Sequence, residues 1–184
     1  MRRIKDINIP ITYLQECFEP NTTLDRVRWK IRPIHHFPNK QTWRAWNVTY
    51  SGNLAGSINS QRYRIIKIAI NGGIHTINEH RVLWALTHGK WPIDQLDHKN
   101  RARGDNLLSN LRESTQLQNS QNTGLRRNNR SGITGVSYEK YSSKWVVQLR
   151  LNGHLVYKCR FDNFADAVAA RKTVERRWHP FAPP

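Results

Sequence analysis

The clearest alternation of apolar and polar positions runs over residues 63–70, YRIIKIAI, which is rich in β-branched side chains and predicts a strand. Asn71-Gly72-Gly73 follows, a sequence that favours a tight hairpin turn because its residues accept positive φ. A returning strand is expected over 74–77. The pattern then changes to helical spacing. Val82, Leu83 and Leu86 mark one apolar face, Asn78 stands at the N-cap, Gly89 can end the helix and Pro92 prevents its resumption. Before this block the chain reads as irregular, with Pro10, Pro20, Pro33 and Pro38 breaking any long helix. Within it a short helix is expected over 11–18 and a short strand over 26–31, RVRWKI. Residues 43–70 contain further short-strand candidates. Residues 93–123 read as polar and loop-like, with a helical stretch over 113–121.

Beyond residue 132 the pattern is simpler. Three strands are expected, over 133–138, 144–151 and 155–161, the last two joined by Asn152-Gly153. A single amphipathic helix over 163–178 follows, with Phe164, Ala165, Val168, Ala169, Lys172 and Val174 near helical spacing. A three-stranded antiparallel sheet backed by one helix is a minimal two-layer domain. Residues 124–132, GLRRNNRSG, read either as a basic linker that tracks phosphates or as an ordinary solvated loop. The division expected is therefore an irregular region at 1–60, a central domain at 61–123, the linker at 124–132 and a C-terminal domain at 133–184. The fold class is α+β.

Charge adds the first functional clue. The 184 residues carry 30 Lys and Arg against 13 Asp and Glu, a formal net charge of +17. Residues 131–184 hold 9 basic and 4 acidic side chains, so both halves are basic. Such a potential concentrates polyanions, and double-stranded DNA is the leading partner. Seven tryptophans argue against wholesale disorder. No apolar run is long enough to span a bilayer, and the opening MRRIKD lacks the features of a signal peptide, so no membrane partner and a cytoplasmic location are expected. The two cysteines, Cys17 and Cys159, are far apart and form no CxxC pair, which excludes a disulfide framework or a Cys-based zinc finger. A monomer is expected.

The most specific stretch is 95–119, QLDHKNRARGDNLLSNLRESTQLQN. It assembles a carboxylate, an imidazole and several amides in a compact segment. Carboxylate and amide oxygens are hard ligands that suit Mg²⁺ or Mn²⁺. A neutral imidazole beside them can take a proton from water. These parts suit phosphodiester hydrolysis.

With His80-Arg81-Val82, Leu96-Asp97-His98, Asp105-Asn106, Asn110-Leu111-Arg112, Thr115 and Asn119, the segment resembles the HNH (ββα-metal) nucleases. The likeness is to the branch found in phage and intron-encoded homing endonucleases, and it spans residues 61–123. It implies that Asp97 and Asn119 hold one divalent metal, Mg²⁺ or Mn²⁺. It also implies that His98 is the general base and that Asn110 braces the loop carrying it. The last position is His in many such enzymes and Asn119 here. Gln118, Gln121 and Asn122 are alternative ligands if the register slips. Arg101 and Arg103 either grip phosphates beside the cut or belong to a solvated loop. His80 is expected to pack or cap its helix, and His35 and His36 have no partner spacing.

Residues 131–181 resemble an AP2/ERF-type DNA-binding domain, on Ser131-Gly132-Ile133-Thr134-Gly135-Val136-Ser137-Tyr138, Lys144-Trp145-Val146-Val147-Gln148-Leu149, Phe161, Phe164 and the 165–171 run ADAVAAR. The resemblance implies that the sheet enters the major groove. Lys144 and Arg150 would then contact DNA, as would the linker arginines Arg126, Arg127 and Arg130. Trp145 is either a base-contacting residue or a core residue. The function expected is a metal-dependent, site-specific DNA endonuclease of homing type. The alternative is a non-catalytic DNA-binding regulator.

Overall fold

The computed structural model describes residues 9–182 apart from Thr22 and Asn71. The opening segment read above for a leader lies outside these residues, as does the first residue of the 71–73 turn. Among the described residues no helix is long and apolar enough to cross a membrane. The chain divides into two compact units between Glu113 and Ser114.

The first unit begins with helix α1 (Ile11–Cys17), which buries Leu14 and Cys17 one turn apart. Strands β1 (Phe18–Asn21) and β2 (Arg26–Trp29) then pair antiparallel, with Phe18 opposite Trp29. A 3₁₀ turn over Ile34–His36 leads to helix α2 (Lys40–Tyr50). This helix corrects the expectation of irregular chain and short strands here. No proline interrupts residues 39–50, and the Asn39 side chain accepts from Thr42 N at 2.8 Å to cap the first turn. It docks through Trp46, whose ring meets Trp29 edge-to-face at 4.9 Å, and through polar bonds to the chain before it. Buried Asn47 accepts from Arg32 N at 2.9 Å, and Trp43 Nε1 donates to Arg32 O at 2.7 Å.

Strands β3 (Ser57–Ile58), β4 (Arg64–Ile70) and β5 (Gly73–Asn78) form an antiparallel sheet in that order. Ile70 faces Gly73 across the turn, and Gly72 takes φ +76°. Helix α3 (Glu79–His88) packs on β2, β4, β5 and α1. Val82 and Leu83 are buried as expected, and Gly89 ends the helix in the left-handed region at φ +66°. Asn78 occupies the N-cap position, but its side chain makes no capping bond. The core gathers Leu14, Phe18, Val27, Trp29, Ile66, Ile68, Val82 and Leu83, so it runs across residues 60 and 61 without a break. Strands β6 (Gln95–His98) and β7 (Leu111–Ser114) pair as a two-stranded ribbon in a stretch expected to be loop.

The second unit starts with helix α4 (Gln116–Gln121), closed at its N-terminus by a reciprocal Thr115–Gln118 capping box. Residues 124–132 lie in this unit, where Asn129 Nδ2 and Ser131 Oγ both donate to Ile133 O. Strands β8 (Val136–Glu139), β9 (Lys144–Leu151) and β10 (His154–Phe161) form an antiparallel sheet with β9 central. Asn152 and Gly153, both at positive φ, make the two-residue hairpin the sequence predicts.

Helix α5 (Phe164–Trp178) covers one face. Its buried positions are Ala167 and Arg171, while Ala165, Ala169 and Lys172, expected on the apolar face, are exposed. The face is rotated because Arg171 enters the core, donating to Gln148 O at 2.8 Å and to Glu175 at 2.6 Å.

Gly135 sits under that guanidinium at φ +75°, where a Cβ would lie 2.5 Å from Gln148 O and 2.6 Å from Arg171 Nη1. Gly132 has a similar φ of +77° but open space around it. Gly132→Ala is expected to cost about 1–2 kcal/mol, the left-handed penalty for an L-residue. Gly135→Ala is expected to cost more, because the clash adds to the same penalty. Urea denaturation of the two variants checks the order, and equal losses would show that the contact with Arg171 does not matter.

Candidate active site

Strand β6 ends in Asp97 and His98, both buried. Four residues, two of them ionisable, give no apolar alternation, so sequence pattern could not mark this strand. Its partner β7 supplies Arg112, whose Nε and Nη2 lie 2.9 and 2.8 Å from Asp97 Oδ2. The ribbon thus sets a carboxylate against a guanidinium across neighbouring strands.

The loop between the two strands is braced from within. Asn110 accepts from Asn100 N at 3.0 Å and donates to Asn100 Oδ1 at 3.0 Å and Asp105 O at 2.9 Å. Its carbonyl accepts from Lys99 N at 2.9 Å, which closes the loop beside His98. A buried amide has two donors and one carbonyl, and here both ends are used on the loop. Asn110 thus ties Lys99, Asn100 and Asp105 of the loop together.

His98 is oriented by a chain of three groups. Its Nε2 lies 3.2 Å from Asn106 Oδ1, and Asn106 Nδ2 donates to Glu79 Oε2 at 3.3 Å. Glu79 is fully buried, bonded by Arg26 Nε at 2.8 Å and by Val27 N at 3.0 Å, with Arg64 Nε 4.0 Å from its other oxygen. The bond to Glu79 fixes which end of the Asn106 amide faces His98. The end that remains is the oxygen, an acceptor, so His98 Nε2 carries the proton and Nδ1 carries the lone pair. Burial, the largest effect, pushes the His98 pKa below its ordinary value, which keeps the ring neutral at physiological pH.

Two more rings wall the site. His80 meets His98 edge-to-face at 5.0 Å, and Tyr63 lies 5.8 Å from His80 and 6.1 Å from His98. Burial and the neighbouring His98 lower the His80 pKa to about 3. His80 is therefore a packed neutral ring, in line with its expected role.

Of the two loop arginines, Arg103 stacks over Tyr63 at 4.9 Å and donates to Gln61 O, while Arg101 is exposed at φ +64°. Asn119 lies on α4 of the second unit. Sequence reasoning assigns Glu79 no role, and Asn106 and Arg112 figure there only as part of the resemblance. An acid in the first turn of a helix reads as a surface residue favoured by the dipole, and its ties to β2 and to the loop are long-range.

In the second unit the register sorts the strand residues. Trp145, Val147, Tyr157 and Phe161 lie on the helix side, with Trp145 against Phe164 at 4.6 Å and Tyr138 at 5.1 Å. Of the two readings open for Trp145, its ring takes the core position on the helix side. The open face carries Lys144, Gln148 and Arg150 from β9 with Lys158 and Arg160 from β10. Lys144 is paired with Asp162, and Arg160 forms a fork with Glu139 at 2.8 and 3.2 Å. Arg126, Arg127 and Arg130 are exposed.

The two lowered histidines make stability fall with acid. In the unfolded chain each imidazole binds a proton near pH 6.5, while in the fold each resists it, so the unfolded state holds more protons below that pH. Each is expected to remove up to about 1.4 kcal/mol per pH unit below 6.5. Urea midpoints between pH 7 and 4.5 should fall, and His80→Leu should flatten the slope. An unchanged slope in that variant would show that His80 is not held neutral.

A family model described as HNH endonuclease matches residues 79–121. The match opens at Glu79 and includes Asp97, His98, Asn106, Asn110, Arg112 and Asn119, and it supports a nuclease acting on DNA. No curated protein and no solved structure matches the chain.

Proposed function

We propose that the protein is a metal-dependent DNA endonuclease of homing type, cutting phosphodiester bonds at a specific site. The observation that carries this reading is the fixed tautomer of His98. A buried, neutral imidazole whose Nε2–H is committed to Asn106 has one remaining nitrogen with a lone pair, Nδ1. That atom can take the proton of a water as its oxygen attacks phosphorus. Asn110 keeps the loop in place while it does so. Arg101 and Arg103 hold phosphates flanking the cut.

The residues present fit a hard divalent cation. Asp97 is a carboxylate with about four acceptor positions, engaged by the two N–H groups of Arg112. Asp97 would hold Mg²⁺ or Mn²⁺. Asn119 falls in the matched segment and keeps the ligand role implied by the resemblance. When bound, the cation supplies charge stabilisation to the phosphate and its leaving oxygen.

The second unit is proposed as an AP2/ERF-like reader of double-stranded DNA. A three-stranded sheet with a helix on one face leaves the other face to present Lys144, Gln148, Arg150, Lys158 and Arg160. Side chains of these types can contact phosphates and base edges in a major groove. Arg126, Arg127 and Arg130 add phosphate contacts.

His98→Ala is expected to cut the rate of plasmid nicking by about 10²-fold or more while DNA binding survives. EDTA should abolish cleavage by the wild type, and Mg²⁺ or Mn²⁺ should restore it. A wild-type protein that binds DNA yet never nicks it, with any of these metals, would make it a regulator instead.

Affinity for DNA is expected to fall steeply with salt. If about six phosphates are neutralised, log K against log salt has a slope of about −5. Titrations at several salt concentrations measure the slope, and a flat line would show that the +17 charge serves another purpose.

A further inference from the structure

A second cluster of metal-ligand type stands apart from the site above. Glu16 on α1 and His35 and His36 in the following 3₁₀ turn bring one donor atom each to within 4.8 Å of one another. Glu16 Oε2 is 2.7 Å from His36 Nε2 and 3.3 Å from His35 Nε2. The β1–β2 hairpin, which lies between them in sequence, carries the chain from one to the other. We infer that these three side chains form a binding site for a zinc-class transition-metal ion.

Four observations support this. A tetrahedral zinc ion with bonds of about 2.0–2.2 Å sets its donors about 3.3–3.5 Å apart. The Glu16–His35 separation already fits, and the Glu16–His36 one opens by about half an ångström. The donor set of two imidazoles and a carboxylate suits zinc, unlike the all-oxygen set proposed at Asp97.

His36 is also held in place before any ion arrives. Its side chain is 1% exposed, and its ring stacks on Tyr13 at 4.2 Å and meets His35 edge-to-face at 4.5 Å. Finally, His35 is 67% exposed and Glu16 42%, so the cluster opens to solvent. Water can therefore enter as a fourth ligand.

The metal-free arrangement defines what binding changes. Arg32 Nε donates to His36 Nδ1 at 3.3 Å, so the ring proton sits on Nε2 and points at Glu16. The ion takes the place of that proton. The proton moves to Nδ1, which breaks the bond from Arg32 Nε and leaves Cys17 Sγ, 3.7 Å away, as its acceptor. Arg32 keeps Tyr13 Oη at 2.6 Å and Ala69 O at 3.4 Å. No proton is released from His36 in this exchange. The bound ion ties α1 to the 3₁₀ turn and so clamps the start of the first unit.

The test uses the full chain titrated with Zn²⁺ by calorimetry in excess Mg²⁺, and with Co²⁺ followed by visible absorption. Wild type is expected to bind one Zn²⁺ at this cluster, to show tetrahedral Co²⁺ bands, and to melt at higher temperature with Zn²⁺. His35→Ala, at an exposed position, and Glu16→Gln should each weaken this event at least about tenfold. Asp97→Ala should retain it, which separates this site from the nuclease one. If His35→Ala binds Zn²⁺ as wild type does, or if Asp97→Ala alone loses binding, the assignment is overturned and the nuclease reading is untouched. Should Glu16→Gln fail to fold, His35→Ala decides the question.

Discussion

Glu79 is the residue on which the first unit turns. A carboxylate removed from water must be compensated by donors close at hand. Arg26, Val27 N and Asn106 supply them from β2 and the loop after β6, and the Arg64 guanidinium on β4 adds its charge at 4.0 Å. Satisfying this one charge therefore draws together elements widely separated in the chain. The same residue sits at the start of the helix whose apolar side fills the core, so packing and charge compensation are solved at one point. His98 inherits its orientation from that solution, through Asn106.

Much of the fold could be read in the sequence where apolar residues recur at a regular period. The β4–β5 hairpin, α3 with its Gly89 stop and the β9–β10 turn all follow from local chemistry. What escaped was held by long-range polar bonds. Helix α2 docks through Asn47 and Trp43 to the backbone of Arg32 and through Trp46 to Trp29, and the side chain it buries fully is the polar Asn47. Strand β6 buries Asp97 and His98, the residue types that pattern assigns to the surface. In α5 the buried face is turned away from the apolar positions because the Arg171 guanidinium fills a core position.

The site shows the same division. Asp97, His98 and Asn110 were legible because their chemistry and spacing are unusual together. The partners that tune them, Glu79, Asn106 and Arg112, were not, since each is an ordinary residue until the fold brings it alongside. The Glu16, His35 and His36 group was invisible for a related reason: neither a lone glutamate nor an adjacent histidine pair carries a ligand spacing, and only the hairpin between them makes one.

The open sheet face of the second unit carries its own acids. Arg160 lies in a fork with Glu139, and Lys144 is paired with Asp162. A phosphate that recruits either cation must first displace a carboxylate of the same molecule. The exchange is close to balanced, since surface pairs of this kind contribute only about 0–1 kcal/mol. An anion that meets this face therefore gains little from either cation alone, and is held only where it brings further bonds of its own.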